Sequence, residues 1–234
     1  VYQSILRRSR VAADVIRRGF LTCLPEKELH LYTLVKKLYD EGPAFLQNSS
    51  DPVYNPVARA LRHMSGELEK LRGFVRFSDY GGVLGAEIEP KNRVLPLLRR
   101  YFCDRYANES FFIYDRTHKE LLIYAKNHSR LLTVDSLQLA LPSEEEVQFR
   151  RLWKRFYETI TIKERENPRC QNTCMPKRYR GTMTEFLPEQ HELQQRGVNP
   201  PTDGAAFPVP GAPDGRSAPA IHLQSEPSVP ALTL

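Results

Sequence analysis

The stretch "FFIYDRTHKELLIYAK" (Phe111–Lys126) decides the fold. Two short apolar runs, "FFIYD" and "ELLIYAK", flank the polar turn "RTHK". Runs of this length, rich in aromatic residues and bounded by polar ones, read as two strands of a hairpin. Upstream, "FVRF" (74–77) and "AEIEP" (86–90) read as a second pair of strands, joined by "SDYGGVLG" (78–85). Those glycines spell neither G-x-G-x-x-G nor a Walker loop, so they read as a turn and not as a phosphate cradle. Between the two hairpins "NRVLPLLRRYFCDRY" (92–106) is helical.

Helices fill the rest. "SILRRSRVAADVIRRGF" (4–20) reads as one helix with Ile5, Ala12, Ile16 and Phe20 inward and five arginines outward. "PEKELHLYTLVKKLYDEG" (25–42) places Leu31, Leu34, Val35 and Leu38 inward and stops at Gly42. "NPVARALRHMSGELEKLRG" (55–73) carries the stripe Val57, Leu61, Met64, Leu68 and Leu71. Asn55 reads as its cap and Pro56 suits its first turn. "PSEEEVQFRRLWKRFYETI" (142–160) opens on the capping box Ser143/Glu146 and is expected to turn Phe149, Leu152, Trp153, Phe156 and Ile160 inward. The expected fold is α+β: a small antiparallel sheet of two hairpins flanked by helices, in one domain over residues 1–186. Residues 187–234 hold nine of the chain's 18 prolines and the lone aromatic Phe207. Too little of that segment can be buried to offset chain entropy, so it is expected to be a disordered tail.

The chain of 234 residues has a net charge of +6, and residues 187–234 carry two basic against five acidic residues, leaving +9 on residues 1–186. Such a balance favours polyanionic partners, with a solvated basic face as the plain alternative. Four cysteines at 23, 103, 170 and 174 are too few for a disulfide scaffold at this length, which points to a reducing, cytoplasmic setting. No apolar run approaches a membrane span and no secretory signal opens the chain, so no membrane is expected. The chain opens on Val1 and not Met, and the sequence leaves open whether a segment precedes it.

Cys170 and Cys174 are spaced like zinc ligands but lack a second pair, so no metal is expected, and no motif calls for a cofactor. A Cys–His pair for nucleophilic catalysis is invisible to sequence. Glu67, at the margin of its helix stripe, and Asp115, at the end of its strand, are the candidate catalytic carboxylates, each with an ordinary ion pair or turn cap as the alternative. Arg76 shares a strand face with Phe74, so it needs a partner, and Glu67 or Asp115 is expected to supply one. Basic stripes recur on 4–20, 91–105, 150–155 and 163–186, interleaved with aromatics that can stack on bases if exposed.

The motif order "GELEKLRGFVRF" (66–77), "AEIEP", "VLPLLRRYFCDRY" (94–106), "FFIYDRTHKELLIYA", "LWKRFYETITIKEREN" (152–167) and "NPRCQNTCMPKRYRGTMTEF" (167–186) resembles the bacterial family known as "probable DNA metabolism protein", domain-of-unknown-function family 4130. The resemblance covers most of residues 10–186, and R-x-N-P-x-x-Q followed by M-P-x-x-Y and E-F is its most specific part. It implies a partnership with a radical S-adenosylmethionine protein of DNA-repair type and an association with uracil-DNA glycosylase-like domains. The family's opening Y-D-G-T/S segment is missing here, as is the C-x₃-C-x₂-C iron–sulfur motif, so radical chemistry would belong to the partner. The implied role is a DNA-binding accessory protein of DNA metabolism and repair. The alternatives are an enzyme on a damaged base or nucleotide, or an adaptor that docks the partner without binding DNA. Arg76, Arg165, Asn167, Arg169, Gln171, Lys177, Arg178, Tyr179 and Arg180 are the candidate nucleic-acid contacts. The arginine-rich signature is expected to be an extended strap that also lines a site.

Overall fold

The computed structural model describes residues 1–139, 142–162, 165, 167–186 and 222–223. They belong to two compact units interleaved in sequence: Val1–Gly73 with Pro90–Leu98, and Phe74–Glu89 with the chain from Arg99 onward.

The first unit is helical. The segment expected as one helix is two, α1 (Tyr2–Arg8) and α2 (Arg10–Gly19). Ser9 breaks it: its backbone is extended and its hydroxyl accepts from the Ala12 N–H, which makes it an N-cap in place of a helix interior residue. Phe20, just past the end of α2, is 50% exposed, whereas Ile5, Ala12 and Ile16 are buried as expected. Arg8 crosses to the end of α3 (Lys27–Glu41), donating to the Leu38 and Tyr39 carbonyls and lying over the Tyr39 ring. It thereby satisfies the Tyr39 carbonyl, which the helix end leaves orphaned, and adds a second donor at the Leu38 carbonyl, which already accepts from the Gly42 N–H.

Helix α4 (Asn55–Phe74) starts from a turn organised by Asp51. That carboxylate accepts from the Val53 and Tyr54 N–H groups and from Lys37 Nζ at 2.7 Å. The Lys37 hydrogen bond, with help from the two backbone N–H groups, holds the Asp51 carboxyl below its ordinary range. Asn55 does not cap the helix; its amide donates to the Ser49 carbonyl. Val57, Met64, Leu68 and Leu71 are buried, and the core joins Val57 to Ile5, Ala12, Ile16, Leu31, Leu34 and Leu38.

The second unit is built on one five-stranded mixed sheet and not on two separate hairpins. Its strands are β1 (Ser78–Asp79), β2 (Leu84–Ile88), β3 (Phe111–Asp115), β4 (Glu120–Ala125) and β5 (His128–Thr133), in that spatial order. β2 and β3 are parallel, with Ile88 opposite Asp115; the remaining pairs are antiparallel. A parallel pair needs a crossover, and the helix expected at 92–106, α5 (Leu95–Arg105), supplies it. "FVRF" is not a strand. Helix α4 runs on through Phe74, and Phe77 sets its ring edge-on to Phe102, Tyr106 and Phe111 at 4.9–5.7 Å. All five residues of β3 are buried. Gly85 in β2 is the close approach: a Cβ there would lie 2.3 Å from the Phe112 ring and 2.7 Å from the Tyr80 ring.

Helix α6 (Glu144–Ile160) begins with the expected Ser143 cap on the Glu146 N–H. Its orientation is the reverse of the expectation. Glu146 and Arg150 face the unit, and the apolar stripe faces out. Helix α7 (Pro168–Cys174) and two 3-10 turns (Lys177–Thr182 and Thr184–Phe186) follow. The expected extended strap is thus partly helical. Asn167 caps α7 through Cys170 N–H and Pro168 sits in its first turn, so the Asn-Pro pair starts a helix. The tail expected at 187–234 lies outside the described residues, except for β7 (His222–Leu223), which pairs with β6 (Leu137–Gln138). No helix among the described residues is long and apolar enough to cross a membrane.

Candidate functional site

The signature segment is anchored from within. Glu185, of the E-F pair, is 2% exposed at its side chain and takes Arg76 Nε at 3.2 Å and Nη2 at 2.9 Å. Two motifs 109 residues apart therefore meet in a largely buried ion pair. Arg76, a candidate phosphate contact, is committed to holding the segment down. Tyr179 is 3% exposed, with its ring 5.4 Å from Phe74. Arg178 lies over that ring and hydrogen-bonds its hydroxyl. Arg180 donates to Asn172 Oδ1 and the Met175 carbonyl and covers Phe186. Gln171 donates to the Tyr157 hydroxyl. Arg165, Arg169 and Lys177 are exposed, as is Arg178 away from its ring contact.

Beside this segment stands α6. Glu146 accepts from the Asp79 N–H at 3.1 Å through one oxygen and from Arg150 Nε at 2.8 Å through the other. Arg150 continues to Ser78 Oγ at 2.6 Å. These polar contacts turn the Glu146 and Arg150 side of the helix toward β1. They leave Phe149 (67% exposed), Trp153 (43%) and Phe156 (53%) in solvent, with Leu152 and Ile160. Trp153 and Phe156 stack at 5.7 Å and 28° between planes. Arg151 and Arg155, both exposed, border the same stripe. None of the five apolar residues was a candidate at the level of sequence, because an apolar stripe at helical spacing reads as core. Stacked rings flanked by guanidinium groups can hold nucleobases and phosphates at once.

A second cluster ends β3. Asp115 is fully buried, and Oδ1 accepts from the Thr117 and His118 N–H groups. Oδ2 pairs with His118 Nδ1 at 2.8 Å. The carboxylate fixes the proton on Nδ1 and leaves Nε2 as the basic nitrogen. Arg76 is not the partner of Asp115. Arg116 pairs with Glu89 at 3.2 Å, and its N–H bonds the Ile88 carbonyl, so the carboxyl ends of the two parallel strands carry this charged group together. Glu87 on β2 is pushed up by burial, with Arg116 acting against that and Glu89 adding to it. His118 was legible only as a turn residue.

Glu67, the other candidate carboxylate, lies in the helical unit at 2% exposure. It accepts from the N–H groups of Lys91 (3.0 Å) and Asn92 (2.8 Å) and from Asn92 Nδ2 (2.6 Å). Both its oxygens are occupied, so it anchors the turn at 91–92. Cys170 and Cys174 are exposed free thiols, and no group of three or more metal-ligating side chains converges among the described residues.

No curated protein and no solved structure matches the chain. One family model does, over residues 25–185, and by that match the chain belongs to the domain-of-unknown-function family DUF4130.

Proposed function

We propose that this chain is a DNA-handling accessory protein of DNA repair that grips single-stranded nucleic acid with the outer face of α6 and the exposed basic residues of the signature segment. The observation that carries the reading is the solvent-facing stack of Trp153 and Phe156, bordered by Arg151 and Arg155. Bases stack on the rings, and the arginines, with Arg165, Arg169, Lys177 and Arg178, neutralise phosphates. The chemistry of repair would then reside in a partner, which the family resemblance suggests is a radical S-adenosylmethionine protein. Trp153 is the chain's lone tryptophan, so its fluorescence reports the contact directly. Titration with oligo-dT should quench it. The logarithm of the binding constant should fall with log salt at about −0.7 per phosphate contacted, with about three to six contacts. An unchanged fluorescence at low salt, together with capture of a protein partner on α6, would replace this reading by the adaptor.

The Asp115–His118 pair supports a second reading, an enzyme acting on a damaged base or nucleotide. There His118 Nε2 would be the general base and Asp115 its orienting carboxylate. Release of a free base from a lesion-bearing oligonucleotide, lost in His118→Ala, is its test; no release from any lesion ends it.

A further inference from the structure

The helical unit carries a charged surface that neither reading of function uses. Its residues, 1–73 with 90–98, hold fourteen lysines and arginines against eight aspartates and glutamates. Part of that excess gathers on the outer face of α4. The exposed residues of this helix are Arg59, Arg62, His63, Gly66, Glu69 and Gly73, and the half-buried Lys70 joins them. At 3.6 residues per turn all seven positions share one face, opposite the buried stripe.

The face is positive because the carboxylates of its helix are engaged. Glu69 pairs with Arg72 at 2.6 Å. The buried Glu67 accepts from the N–H groups of Lys91 and Asn92. Arg59, Arg62 and Lys70 make no ion pair among the described residues. Asn92 Nδ2 lies 3.0 Å from His63 Nδ1, which sets the turn at 91–93 beside the face, and Lys91 and Arg93 are exposed there. Gly66 stands at the middle. A glycine inside a helix weakens it relative to alanine. Yet no other part of the described chain comes within 4 Å of a Cβ placed there, so no packing inside the protein calls for the missing side chain. The gap lets an outside backbone lie against α4 between Arg62 and Lys70.

We propose that the outer face of α4 is a contact surface for the phosphate backbone of duplex nucleic acid, with Arg59, Arg62 and Lys70 as its cations and Lys91 and Arg93 at its edge. The residues on the face select this partner among polyanions. None of its exposed residues is aromatic, so it offers a single strand no ring for its bases. None is a large apolar residue, so an anionic membrane finds nothing to insert and a protein partner finds no anchor. What remains is guanidinium and ammonium groups, which suit phosphate oxygens. From Arg59 to Lys70 the helix rises about 16 Å. A duplex carries a negative charge about every 1.7 Å along its axis, the densest target for such a row. This surface is distinct from the stacking face of α6 and does not depend on it.

The test uses the full chain and a short labelled duplex of mixed sequence, followed by fluorescence anisotropy. Binding should appear at low salt and fall with log salt at about −0.9 per phosphate, with about three to five contacts. Arg59→Glu with Arg62→Glu should weaken it by about tenfold or more and make the slope shallower by about 1.8. Arg59→Lys with Arg62→Lys keeps the charges and should hold the affinity within about twofold. Both pairs are surface changes whose folding is checked by circular dichroism. Quenching of Trp153 by oligo-dT, which reads α6, should be the same in both, so failure here and failure of the α6 reading are told apart. No duplex binding at low salt, or an affinity indifferent to the charge reversal, overturns the proposal. So does duplex binding lost in Trp153→Ala instead, or a preference for phosphatidylserine vesicles over the duplex.

Discussion

Helices α4 and α6 have the same kind of sequence and opposite fates. Each carries large apolar residues at helical spacing. In α4 four of the five stripe residues, Val57, Met64, Leu68 and Leu71, are at most 8% exposed, and Leu61 is half-buried. In α6 the stripe Phe149, Leu152, Trp153, Phe156 and Ile160 is at least 43% exposed. The difference lies in the other face. The polar face of α6 holds Glu146 and Arg150, which find the Asp79 N–H and Ser78 hydroxyl as fixed partners. A side chain of this size stabilises by about 1.5–3 kcal/mol when fully buried, so five left in solvent forgo several kcal/mol. Hydrogen bonds to charged groups return about 1.5–3 kcal/mol each and do not by themselves explain that choice. A helical period therefore shows that an apolar face exists. It does not show that the chain itself covers it, and a face that the described residues leave bare at this cost is where a ligand is expected.

The largest effect expected from breaking the comparison is in α4. Met64 is fully buried, so Met64→Ala removes its side chain from a packed core and should lower stability by about 2–5 kcal/mol in a denaturant melt. A loss below about 1 kcal/mol would mean that α4 is no better packed than α6.

Glu146→Ala comes next. It strips a largely buried carboxylate from the Asp79 N–H and from Arg150, leaving both without that acceptor. The expected cost is about 1–3 kcal/mol. It should also free the rotation of α6, read as a change in Trp153 fluorescence. Retained stability with unaltered fluorescence would show that the polar face does not set the helix's orientation.

Trp153→Ala should leave stability nearly untouched while weakening oligo-dT binding by about 1–3 kcal/mol, the value of one base stacked on an aromatic ring. Arg151→Ala should weaken binding to all sequences alike and make the salt slope shallower by about 0.7, the share of one phosphate on a single strand. Equal affinity in Trp153→Ala would remove the stacking platform from the proposed function.

What the sequence made legible follows the same divide. β3 and β4 were readable because their apolar runs are short and a polar turn separates them. β5 was missed because it is polar along much of its length. The signal that could have found it is the tight turn at Lys126–Asn127, where both residues have positive φ, a conformation asparagine tolerates well in a hairpin. The parallel pairing of β2 with β3 was hidden because neither strand names its neighbour. The helix between them was the hint, since a crossover is what a parallel pair requires. At the candidate sites, Asp115 was singled out and His118 was not. The Arg76–Glu185 pair joins residues 109 positions apart. Long-range side-chain pairing leaves no period to read. The α6 face was visible as a stripe and misassigned to the core, because period reports spacing and says nothing of cover.

The smallest expected effect is the sharpest test of the comparison. Leu152→Ala removes a side chain that is 62% exposed, from the middle of the bare stripe. If solvent covers that face, the change removes little buried area, and stability should move by no more than about 0.5 kcal/mol. Leucine and alanine are both good helix formers, so propensity adds almost nothing to the balance. If instead a second copy of the chain closes over the stripe, the same substitution opens a cavity and should cost about 2 kcal/mol or more. That loss would also grow on dilution, since association stabilises by mass action. Chemical denaturation of Leu152→Ala at two protein concentrations separates the two cases. A small, concentration-independent change keeps the face available to nucleic acid. A large one that depends on dilution makes α6 an interface between copies and puts α4 and α6 back in the same class.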